Sequence, residues 1–341
     1  MSVGLQESPH NGILLNQSIN KKVCDMMSDQ LFFLQPVFQK RIWGGRALEE
    51  KWGYQIPSGN IGECWGVSAH PNGESVIKNG VYAGKKLSEL WGRTPELFGE
   101  QNEDVFPLLV KILDANADLS VQVHPDDQYA KTFEHGELGK TECWYILDCE
   151  ENAHLIFGHH AATKEEMATM IKKGEWDQLL HRQAVKKGDF LYVPSGTIHA
   201  LCQGLIVLEV QQSSDTTYRL YDYDRRDEAG NLRELHINQS IEVSTVPHQP
   251  VNPGRKIIVN SQELKITQLV SNDFFTVSKY DINGKSTHGF SKPTDYALIS
   301  VIHGQGTIEE TPVQKGDHLL IPAHVGLLNF NGQFEAIVAQ P

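Results

Sequence analysis

The sequence lacks the features that mark membrane and secreted proteins. No stretch approaches the roughly 20 consecutive apolar residues that a membrane helix needs. Residues 1–30 lack the charged start and the continuous apolar block of a secretory signal. The five cysteines are odd in number and have no paired metal-ligand spacing. We therefore expect a protein of the reducing cytoplasm that has no membrane partner.

Clusters of basic residues are also missing. The chain has 30 Lys and Arg against 43 Asp and Glu, a formal net charge of -13 at pH 7, and the basic residues form no run. Because a nucleic-acid surface needs clustered Lys and Arg, this distribution argues against a nucleic acid as a partner. Solubility alone explains the acidic surplus. Nothing in the pattern fixes the oligomeric state, so monomer and homodimer both stay open.

Helical periodicity is scarce and strand patterns dominate. Apolar residues recur at helical spacing only over residues 87–97 and 163–180, and Thr163-Lys-Glu-Glu166 has the form of a capping box that opens the second helix. Elsewhere, short β-branched and aromatic runs alternate with Gly, Pro, Asn and Asp, which is typical of an antiparallel sandwich or barrel. The clearest runs are residues 105–112, 119–123, 143–147, 190–193 and 205–210. We predict a mainly β fold with a few helices packed beside it.

Three short segments carry side chains suited to binding a metal. Gln122 and His124 lie two apart, so on a strand both point to one face while the flanking valines point to the other. Glu142 opens the β-rich run Glu-Cys-Trp-Tyr-Ile-Leu, and His199 follows a Pro-Ser-Gly turn. Two histidines and one carboxylate leave metal positions open for water or substrate, which predicts a catalytic divalent-metal site.

Length and an internal repeat predict two domains. A chain of 341 residues is long for one domain, and Lys187-Gly-Asp-Phe-Leu-Tyr-Val-Pro194 is echoed by Lys315-Gly-Asp-His-Leu-Leu-Ile-Pro322. We predict a poorly ordered extension over residues 1–30, a catalytic metal-binding domain with helical segments over residues 31–250, and a degenerate second domain over residues 251–341.

The two copies of the repeat differ at the metal site. Counting on from the last proline of each copy, His199 falls opposite Leu327, so we expect the second domain to have lost its metal site. Asp189 and Asp317 occupy matched turns in both copies, which favours a structural role for them. Residues 246–262, with three prolines, are the predicted connection between the domains.

In their order and spacing, these motifs resemble those of the type I mannose-6-phosphate isomerases of the cupin superfamily, in the short bacterial form. The resemblance covers about residues 31–341, and it is specific because several motifs occur in the same order. They include Arg41-Ile-Trp-Gly-Gly45, Ile61-Gly-Glu-Cys-Trp65 followed by Ser68 and His70, Gln122-Val-His124, Lys140-Thr-Glu142, Pro194-Ser-Gly-Thr-Ile-His199, and Ser214-Asp-Thr-Thr-Tyr-Arg219-Leu-Tyr-Asp222. The resemblance implies two cupin-type jelly-roll β-barrels and the interconversion of D-mannose 6-phosphate and D-fructose 6-phosphate.

The resemblance also implies the metal and its ligands. The zinc ligands of the family correspond to Gln122, His124, Glu142 and His199, so one Zn²⁺ per chain is expected, although this ligand set also tolerates manganese or cobalt. Gln122 is the weakest of the four, because a neutral amide can instead orient a water molecule. The reaction moves a proton between C2 and C1 of an open-chain sugar through an enediol. A Lewis-acid metal suffices for it, which removes the need for an organic cofactor.

Three further residues are candidates for catalysis. Arg219 matches an active-site arginine of the family, where it would stabilise the enediolate or contact the phosphate; the alternative is a salt bridge within residues 222–226. Asp215 and Lys140 are candidates for proton transfer. Lys140 can act as a base only if burial or a nearby cation lowers its pKa toward neutrality, and it is equally a candidate for holding the phosphate.

Other patterns are weaker. Trp43 and Trp65 are candidates for lining a sugar pocket, although core packing is the better interpretation for at least one of them. His159 and His160 are adjacent, so on a strand they face opposite ways, and we leave them out of the metal site. Residues 80–86 resemble a phosphate-binding loop, but they are one residue short and lack the terminal Ser or Thr, which excludes a nucleotide site.

Two other function classes fit part of the pattern. Two histidines and one carboxylate also suit ferrous iron, so an iron-dependent cupin oxygenase is one alternative. A sugar-binding cupin without turnover is the other. Arg219, Asp215 and Lys140 beside a complete metal set argue against the second alternative, because binding alone does not require acid-base groups.

Overall fold

The computed structural model describes residues 31–99, 101, 103–227, 229–290, 295–323 and 325–341. The predicted extension over residues 1–30 lies outside these ranges. Among the helices within them, none combines the length and the apolar composition needed to cross a membrane.

The described residues form a mainly β structure with short helices. The strands are β1 Phe32–Gln35, β2 Val37–Gly45, β3 Ile61–Val67, β4 Val76–Ile77, β5 Leu108–Ala115, β6 Val121–Val123, β7 Glu142–Cys149, β8 His154–His159, β9 Leu180–Ala184, β10 Phe190–Val193, β11 His199–Leu201, β12 Leu205–Gln212, β13 Tyr218–Tyr221, β14 Lys256–Asn260, β15 Leu264–Ser271, β16 Thr276–Asn283, β17 Ser286–His288, β18 Ala297–Ile308, β19 Thr311–Gln314, β20 His318–Ile321 and β21 Leu328–Gln340. The helices are α1 Ala47–Glu50, α2 Leu87–Arg93, α3 Asp127–Phe133, α4 Lys164–Lys173, α5 Trp176–Leu179 and α6 Ile237–Val243, with 3₁₀ turns at Gly80–Tyr82 and Pro95–Leu97.

The first half of the chain forms two antiparallel sheets. A six-stranded sheet has the order β10-β7-β12-β5-β3-β2, and a five-stranded sheet has the order β13-β6-β11-β8-β9. Buried side chains from both sheets form one apolar cluster, which includes Trp144 of the first sheet and Leu201 of the second. This arrangement confirms the predicted cupin-type jelly-roll class, although in the described residues the strand orders are open rather than closed into barrels.

The second half of the chain forms a ten-stranded sheet that also contains β1 and β4 from the first half. Its main path is β14-β15-β16-β21-β18-β20-β1-β4, with β17 paired to β21 and β19 to β18. Phe32 of β1 pairs with Leu320, and Leu34 of the same strand pairs with Ile77 of β4. The two halves of the chain therefore share one hydrogen-bonded sheet.

An aromatic cluster also joins the two halves. The ring of Trp91 lies 5.1 Å from Phe98, 5.4 Å from Phe106 and 6.1 Å from Tyr296, in edge-to-face contacts. All four side chains are buried. The predicted domain boundary at residue 250 stays a prediction.

Helix α4 begins where the capping box predicts. The Thr163 hydroxyl accepts a hydrogen bond from the Glu166 amide at 3.1 Å, and Glu166 Oε2 accepts one from the Ala162 amide at 2.7 Å. Gly174, with φ of 68°, ends the helix in the left-handed conformation that glycine adopts without strain. The single helix predicted over residues 163–180 is therefore divided into α4 and α5.

Helices α4 and α5 cover part of the outer face of the five-stranded sheet. Met167 and Ile171 of α4 belong to the same apolar cluster as Val121 and Val123 of β6. This confirms both the predicted alternation of faces along β6 and the packing of accessory helices beside the sheet. Helix α2 and the 3₁₀ turn after it account for the other predicted helix. Strand β14 lies within the segment predicted as the connection between the domains.

The internal repeat is two copies of one turn. Asp189 Oδ2 accepts a hydrogen bond from the Lys186 amide at 2.9 Å, and Asp317 Oδ2 accepts one from the Gln314 amide at 2.8 Å. The preceding glycines have φ of 86° and 92°, a region that favours glycine. The two aspartates therefore brace turns, as predicted.

Candidate metal centre

His124, Glu142 and His199 converge in the interior of the first half. One ligand atom from each lies within 4.8 Å of the others, and all three side chains are buried. His124 Nε2 lies 3.6 Å from Glu142 Oε2, and His199 Nε2 lies 3.3 Å from Glu142 Oε1. His124 follows β6 and His199 opens β11, both in the five-stranded sheet, whereas Glu142 opens β7 in the six-stranded sheet. The cluster therefore bridges the two sheets.

Backbone carbonyls fix the orientation of both imidazoles. His124 Nδ1 lies 2.9 Å from the carbonyl oxygen of Thr216, and His199 Nδ1 lies 2.9 Å from that of Thr197. A carbonyl can only accept, so each Nδ1 carries the proton and each Nε2 presents a lone pair. Both Nε2 atoms point toward Glu142, which is the arrangement that metal-binding histidines adopt.

The atoms at the centre of the cluster lack ordinary hydrogen bonds. His124 Nε2 and both carboxylate oxygens of Glu142 are buried and accept no hydrogen bond of good geometry from the described residues, although Lys140 Nζ lies 3.2 Å from Oε2. Buried polar atoms are seldom left in this state, because each costs about 1–3 kcal/mol. The donor set therefore fits a divalent metal ion, held by two imidazole nitrogens and one carboxylate.

Burial sets the charge of the ligands. It lowers the pKa of His124 well below the usual range and the pKa of His199 to about 4, so both rings are neutral ligands at pH 7. Burial, with Glu209 next in effect, raises the pKa of Glu142 against the opposing charge of Lys140. A cation between the rings favours the ionised carboxylate, so the cluster and a metal stabilise each other.

Gln122 lies at the edge of this cluster. It is the cross-strand partner of His199, and its side-chain Nε2 lies 3.4 Å from His199 Nε2. A half-turn of the amide exchanges its nitrogen and oxygen, so the same side chain can present an oxygen to this space. Gln122 as a fourth ligand stays a prediction.

A polar cavity of about 380 Å³ lies beside the cluster. Gln122 and Lys140 belong both to its wall and to the surroundings of the cluster. The charged side chains that line it are Arg41, Glu63, Lys111, Lys140, Glu209, Asp215, Arg219 and Arg233. A larger hollow of about 890 Å³ lies on the ten-stranded sheet, but the His124–Glu142–His199 group is the only compact metal-ligand cluster in the part of the chain that the structure describes.

The three predicted catalytic residues all line this cavity. Arg219 is the cross-strand partner of Gln122, and its Nη1 donates to the carbonyl of Glu234 at 2.9 Å. Asp215 Oδ2 accepts a hydrogen bond from Asn72 Nδ2 at 2.8 Å. The structure brings these residues together beside the cluster, while their chemical roles stay predictions.

Lys140 is charged in this setting. Burial works to lower its pKa, but Glu142, Glu209 and Asp215 together outweigh burial and raise the pKa above the usual value. The condition set for Lys140 as a base, a lowered pKa, is therefore not met by the protein groups alone. As an ammonium ion it can donate hydrogen bonds to a substrate oxygen or to the phosphate.

Sequence analysis missed a buried ion pair in the cavity wall. Lys111 of β5 and Glu209 of β12 are cross-strand partners, with Nζ 3.4 Å from Oε1. Glu209 Oε2 also accepts a hydrogen bond from Trp144 Nε1 at 2.9 Å, and Lys111 Nζ lies 5.0 Å from the ring centre of Trp65. The sequence signal that was available is a single charged residue inside each apolar strand, because charged residues are seldom fully buried unless they are paired.

The weaker sequence interpretations are resolved by position. Trp43 lines the cavity, whereas Trp65 is fully buried and donates from Nε1 to Glu63 Oε2 at 2.5 Å. His159 Nε2 lies 3.0 Å from the carbonyl of Thr245, and neither His159 nor His160 joins the metal-ligand cluster. Packing is thus the better account of Trp65, as expected for at least one tryptophan.

Segments from both halves of the chain match models of known protein families. Residues 31–154 match the model for phosphomannose isomerase type I, catalytic domain, and residues 265–341 match the model for mannose-6-phosphate isomerase, cupin domain.

Two curated relatives are similar over most of their length. The chain is 53% identical over 320 residues to mannose-6-phosphate isomerase ManA of Bacillus subtilis, covering 92% of this chain and 99% of the relative. It is 52% identical over 311 residues to mannose-6-phosphate isomerase of Streptococcus mutans, covering 90% and 97%.

Solved structures agree with these matches. The mannose 6-phosphate isomerase from Bacillus subtilis superposes with a TM-score of 0.87 at 48% identity, covering 91% of this chain and 99% of that one. A mutant of phosphomannose isomerase from Salmonella typhimurium gives a TM-score of 0.74 at 16% identity, covering 91% and 99%, which shows a common fold. From the family models and the long, highly identical relatives, the chain belongs to the type I mannose-6-phosphate isomerase family.

Proposed function

We propose that this chain interconverts D-mannose 6-phosphate and D-fructose 6-phosphate with one divalent metal ion bound by His124, Glu142 and His199. The observation that carries the proposal is the buried cluster of two neutral imidazoles and a carboxylate at a polar cavity lined by acid-base groups. The names of relatives about 50% identical to the chain support the same activity.

Zinc is the proposed metal, with Gln122 as the fourth protein ligand or as the group that orients a water molecule. When bound, the ion polarises the carbonyl and hydroxyl oxygens of the substrate as a Lewis acid. Nitrogen and oxygen donors of this kind also accept manganese or cobalt. The preference for zinc therefore rests on the family rather than on the ligand set.

The side chains around the cavity have complementary roles in the proposed reaction. The proton leaves C2 of the open-chain aldose and is returned to C1, so a group that gives and takes a proton must face both carbons. Asp215, an acceptor held by Asn72, is the proposed carrier. Lys140 and Arg219, both cationic, stabilise the negative charge that develops on the enediol oxygens.

The cellular setting belongs to the same proposal. Four cysteines lie in the described ranges and all are free thiols, Cys64, Cys143, Cys149 and Cys202. Free thiols are compatible with the predicted reducing cytoplasm. A small sugar phosphate is the proposed partner, and the choice between monomer and homodimer stays open.

A coupled assay tests the proposal. Purified protein is assayed for fructose 6-phosphate formation from mannose 6-phosphate, first as isolated, then after chelation, and finally after addition of zinc, manganese or cobalt. We expect turnover to be lost with the metal, to return with zinc, and to be equal in air and in anaerobic buffer. Binding of mannose 6-phosphate without product would favour a sugar-binding protein, and oxygen consumption would favour an oxygenase.

A further inference from the structure

The cations of the cavity differ in how far their charge is already neutralised. Lys111 pairs with Glu209 at 3.4 Å, and Lys140 lies 3.2 Å from Glu142. Arg41 makes a two-point contact with Glu63, at 2.8 Å and 3.1 Å. Each of these side chains has a carboxylate of its own beside it.

The remaining two cavity cations, Arg219 and Arg233, lie in a corner with an excess of positive charge. Arg219 donates to a backbone carbonyl, and its buried Nε has no hydrogen-bond partner among the described residues. Arg233 pairs with Asp222, but Asp222 is shared with Arg225, 2.6 Å away. Three guanidinium groups therefore share this corner with the carboxylates of Asp222 and Glu234, and neither carboxylate lines the cavity.

Repulsion between these arginines also affects the pKa of Arg219. Burial lowers this pKa most and the charge of Arg233 next, with Arg225 acting in the same direction and Asp222 and Glu234 opposing them. An anion placed between Arg219 and Arg233 would relieve this repulsion. A phosphomonoester, with a charge of about −1.5 to −2 at pH 7, is a ligand of the matching sign and size.

The position of the two arginines separates their roles. Arg219 is in register with Gln122, whose side chain lies 3.4 Å from His199, so it stands next to the metal cluster. Arg233 follows β13 by twelve residues and is held from behind, because its Nε donates to Asp222 Oδ2 at 2.7 Å and its Nη2 to Asp222 Oδ1. Nη1 makes no hydrogen bond within the described ranges and is available to a ligand in the cavity.

We propose that Arg233, oriented by Asp222, binds the phosphate of the substrate and so selects phosphorylated over free hexose. This inference rests on the proposed isomerase function. Arg219 faces the reacting carbons, and Arg233 holds the far end of the open-chain sugar. Asp222 acts through Arg233 as a positioning residue, because its two oxygens fix the plane of the guanidinium group.

Steady-state kinetics of the zinc-loaded enzyme test the assignment. Arg233→Met should raise KM for mannose 6-phosphate by about 10- to 100-fold, as expected for the loss of a charge-assisted hydrogen bond, with a kcat within about threefold and unchanged zinc content. Inhibition by inorganic phosphate should weaken by a similar factor. Arg233→Lys keeps the charge but loses the planar fork, so it should fall between Met and wild type.

Two further variants make the experiment specific. Arg226→Met is the matched control: Arg226 lies in the same segment, donates to the carbonyl of Gly230 at 2.7 Å and does not line the cavity, so it should behave as wild type. Asp222→Asn should raise KM less than Arg233→Met does and leave kcat nearly unchanged. If Arg233→Met and wild type share the same KM and the same sensitivity to phosphate, the assignment is wrong. If wild type itself fails to convert mannose 6-phosphate, the isomerase proposal fails instead.

Discussion

At the scale of single residues, the site depends on ionisable side chains that are almost fully buried. His199 and Glu142 are fully buried, as is the Lys111–Glu209 pair within a few per cent. Each of these groups is compensated by a partner from a different strand. Loss of one partner therefore affects both chemistry and stability.

Replacing His199 by Ala should remove metal and activity together. The substitution deletes one of three buried ligands, and the remaining imidazole and carboxylate cannot hold the ion at ordinary concentrations. Metal content per chain and isomerase turnover measure the effect. His159→Ala is the matched control, because His159 is another buried histidine of the same sheet outside the cluster. Retention of stoichiometric metal by His199→Ala would show that the site is misplaced.

Replacing Lys111 by Met should destabilise the fold by about 3–5 kcal/mol, because it leaves the carboxylate of Glu209 buried without its cation. Lys111 and then Lys140 hold the pKa of Glu209 below its usual value against the effect of burial. The double variant Lys111→Met with Glu209→Gln should recover part of this loss, since no uncompensated charge remains. Urea unfolding of wild type, Lys111→Met, Glu209→Gln and the double variant gives the coupling energy. Equal stability of Lys111→Met and the double variant would argue against a stabilising Lys111–Glu209 ion pair.

At the scale of elements, two strands dock through a histidine and a glycine. His318 of β20 lies flat against Gly66 of β3, where an added Cβ would come within 2.3 Å of the ring. Both nitrogens of the neutral His318 ring have hydrogen-bond partners, with Ser300 Oγ at 2.8 Å from Nδ1 and Tyr54 Oη at 3.0 Å from Nε2. The Tyr54 hydroxyl in turn donates to the carbonyl of Gly316 at 2.8 Å. This network links the two halves of the chain.

Acid should weaken this contact in a defined pH window. Burial lowers the pKa of His318 to about 4, whereas an unfolded histidine titrates near pH 6.5. The unfolded chain therefore takes up the proton first, so the stabilisation is complete above about pH 6.5 and is lost as the pH falls toward 4, by about 3 kcal/mol in total.

Urea midpoints between pH 4 and 7 check this expectation. The His318→Gln variant should have a flatter profile than wild type over that window. Both proteins carry the same metal cluster, so the titration of its ligands cancels in the comparison. Parallel profiles would exclude His318 as the source of the pH dependence.

For the molecule as a whole, the proposed metal ion would join the two sheets of the first half. Its proposed ligands come from both sheets, so an ion that binds only the folded chain would add RT ln(1 + [M]/Kd) to stability, about 4 kcal/mol when the metal is at 1,000 times Kd.

Metal depletion should accordingly lower the thermal midpoint, and added zinc should restore it in a concentration-dependent way. Calorimetry of wild type and of His199→Ala at several zinc concentrations tests this expectation. The variant is the control, because its midpoint should not respond to zinc. A wild-type thermal midpoint that does not change with zinc would show that zinc does not bind between the two sheets.

The sequence was sufficient for features set by neighbouring residues. The cap at Thr163, the turns at Asp189 and Asp317, the faces of β6 and the strand run at residues 190–193 all depend on local geometry, and the structure confirms each of them. The three residues of the buried cluster were also predicted together, because two histidines and a carboxylate in strand context indicate metal chemistry before any contact is known. Their role as metal ligands stays a prediction. The helix α3 was missed, although Asp126 after a proline is an ordinary N-cap and accepts from the Tyr129 amide at 2.8 Å.

The relations between distant segments could not be predicted from the sequence. The placement of β1 in the sheet of the second half follows from pairing across almost the entire chain, and no local pattern specifies a partner at that separation. The same applies to Lys111 and Glu209, whose burial becomes possible only when two strands bring the charges into register. Residue type and short spacing were enough to predict the members of the buried cluster and the local turns. The fold decided which charges meet, because that depends on strand order and packing.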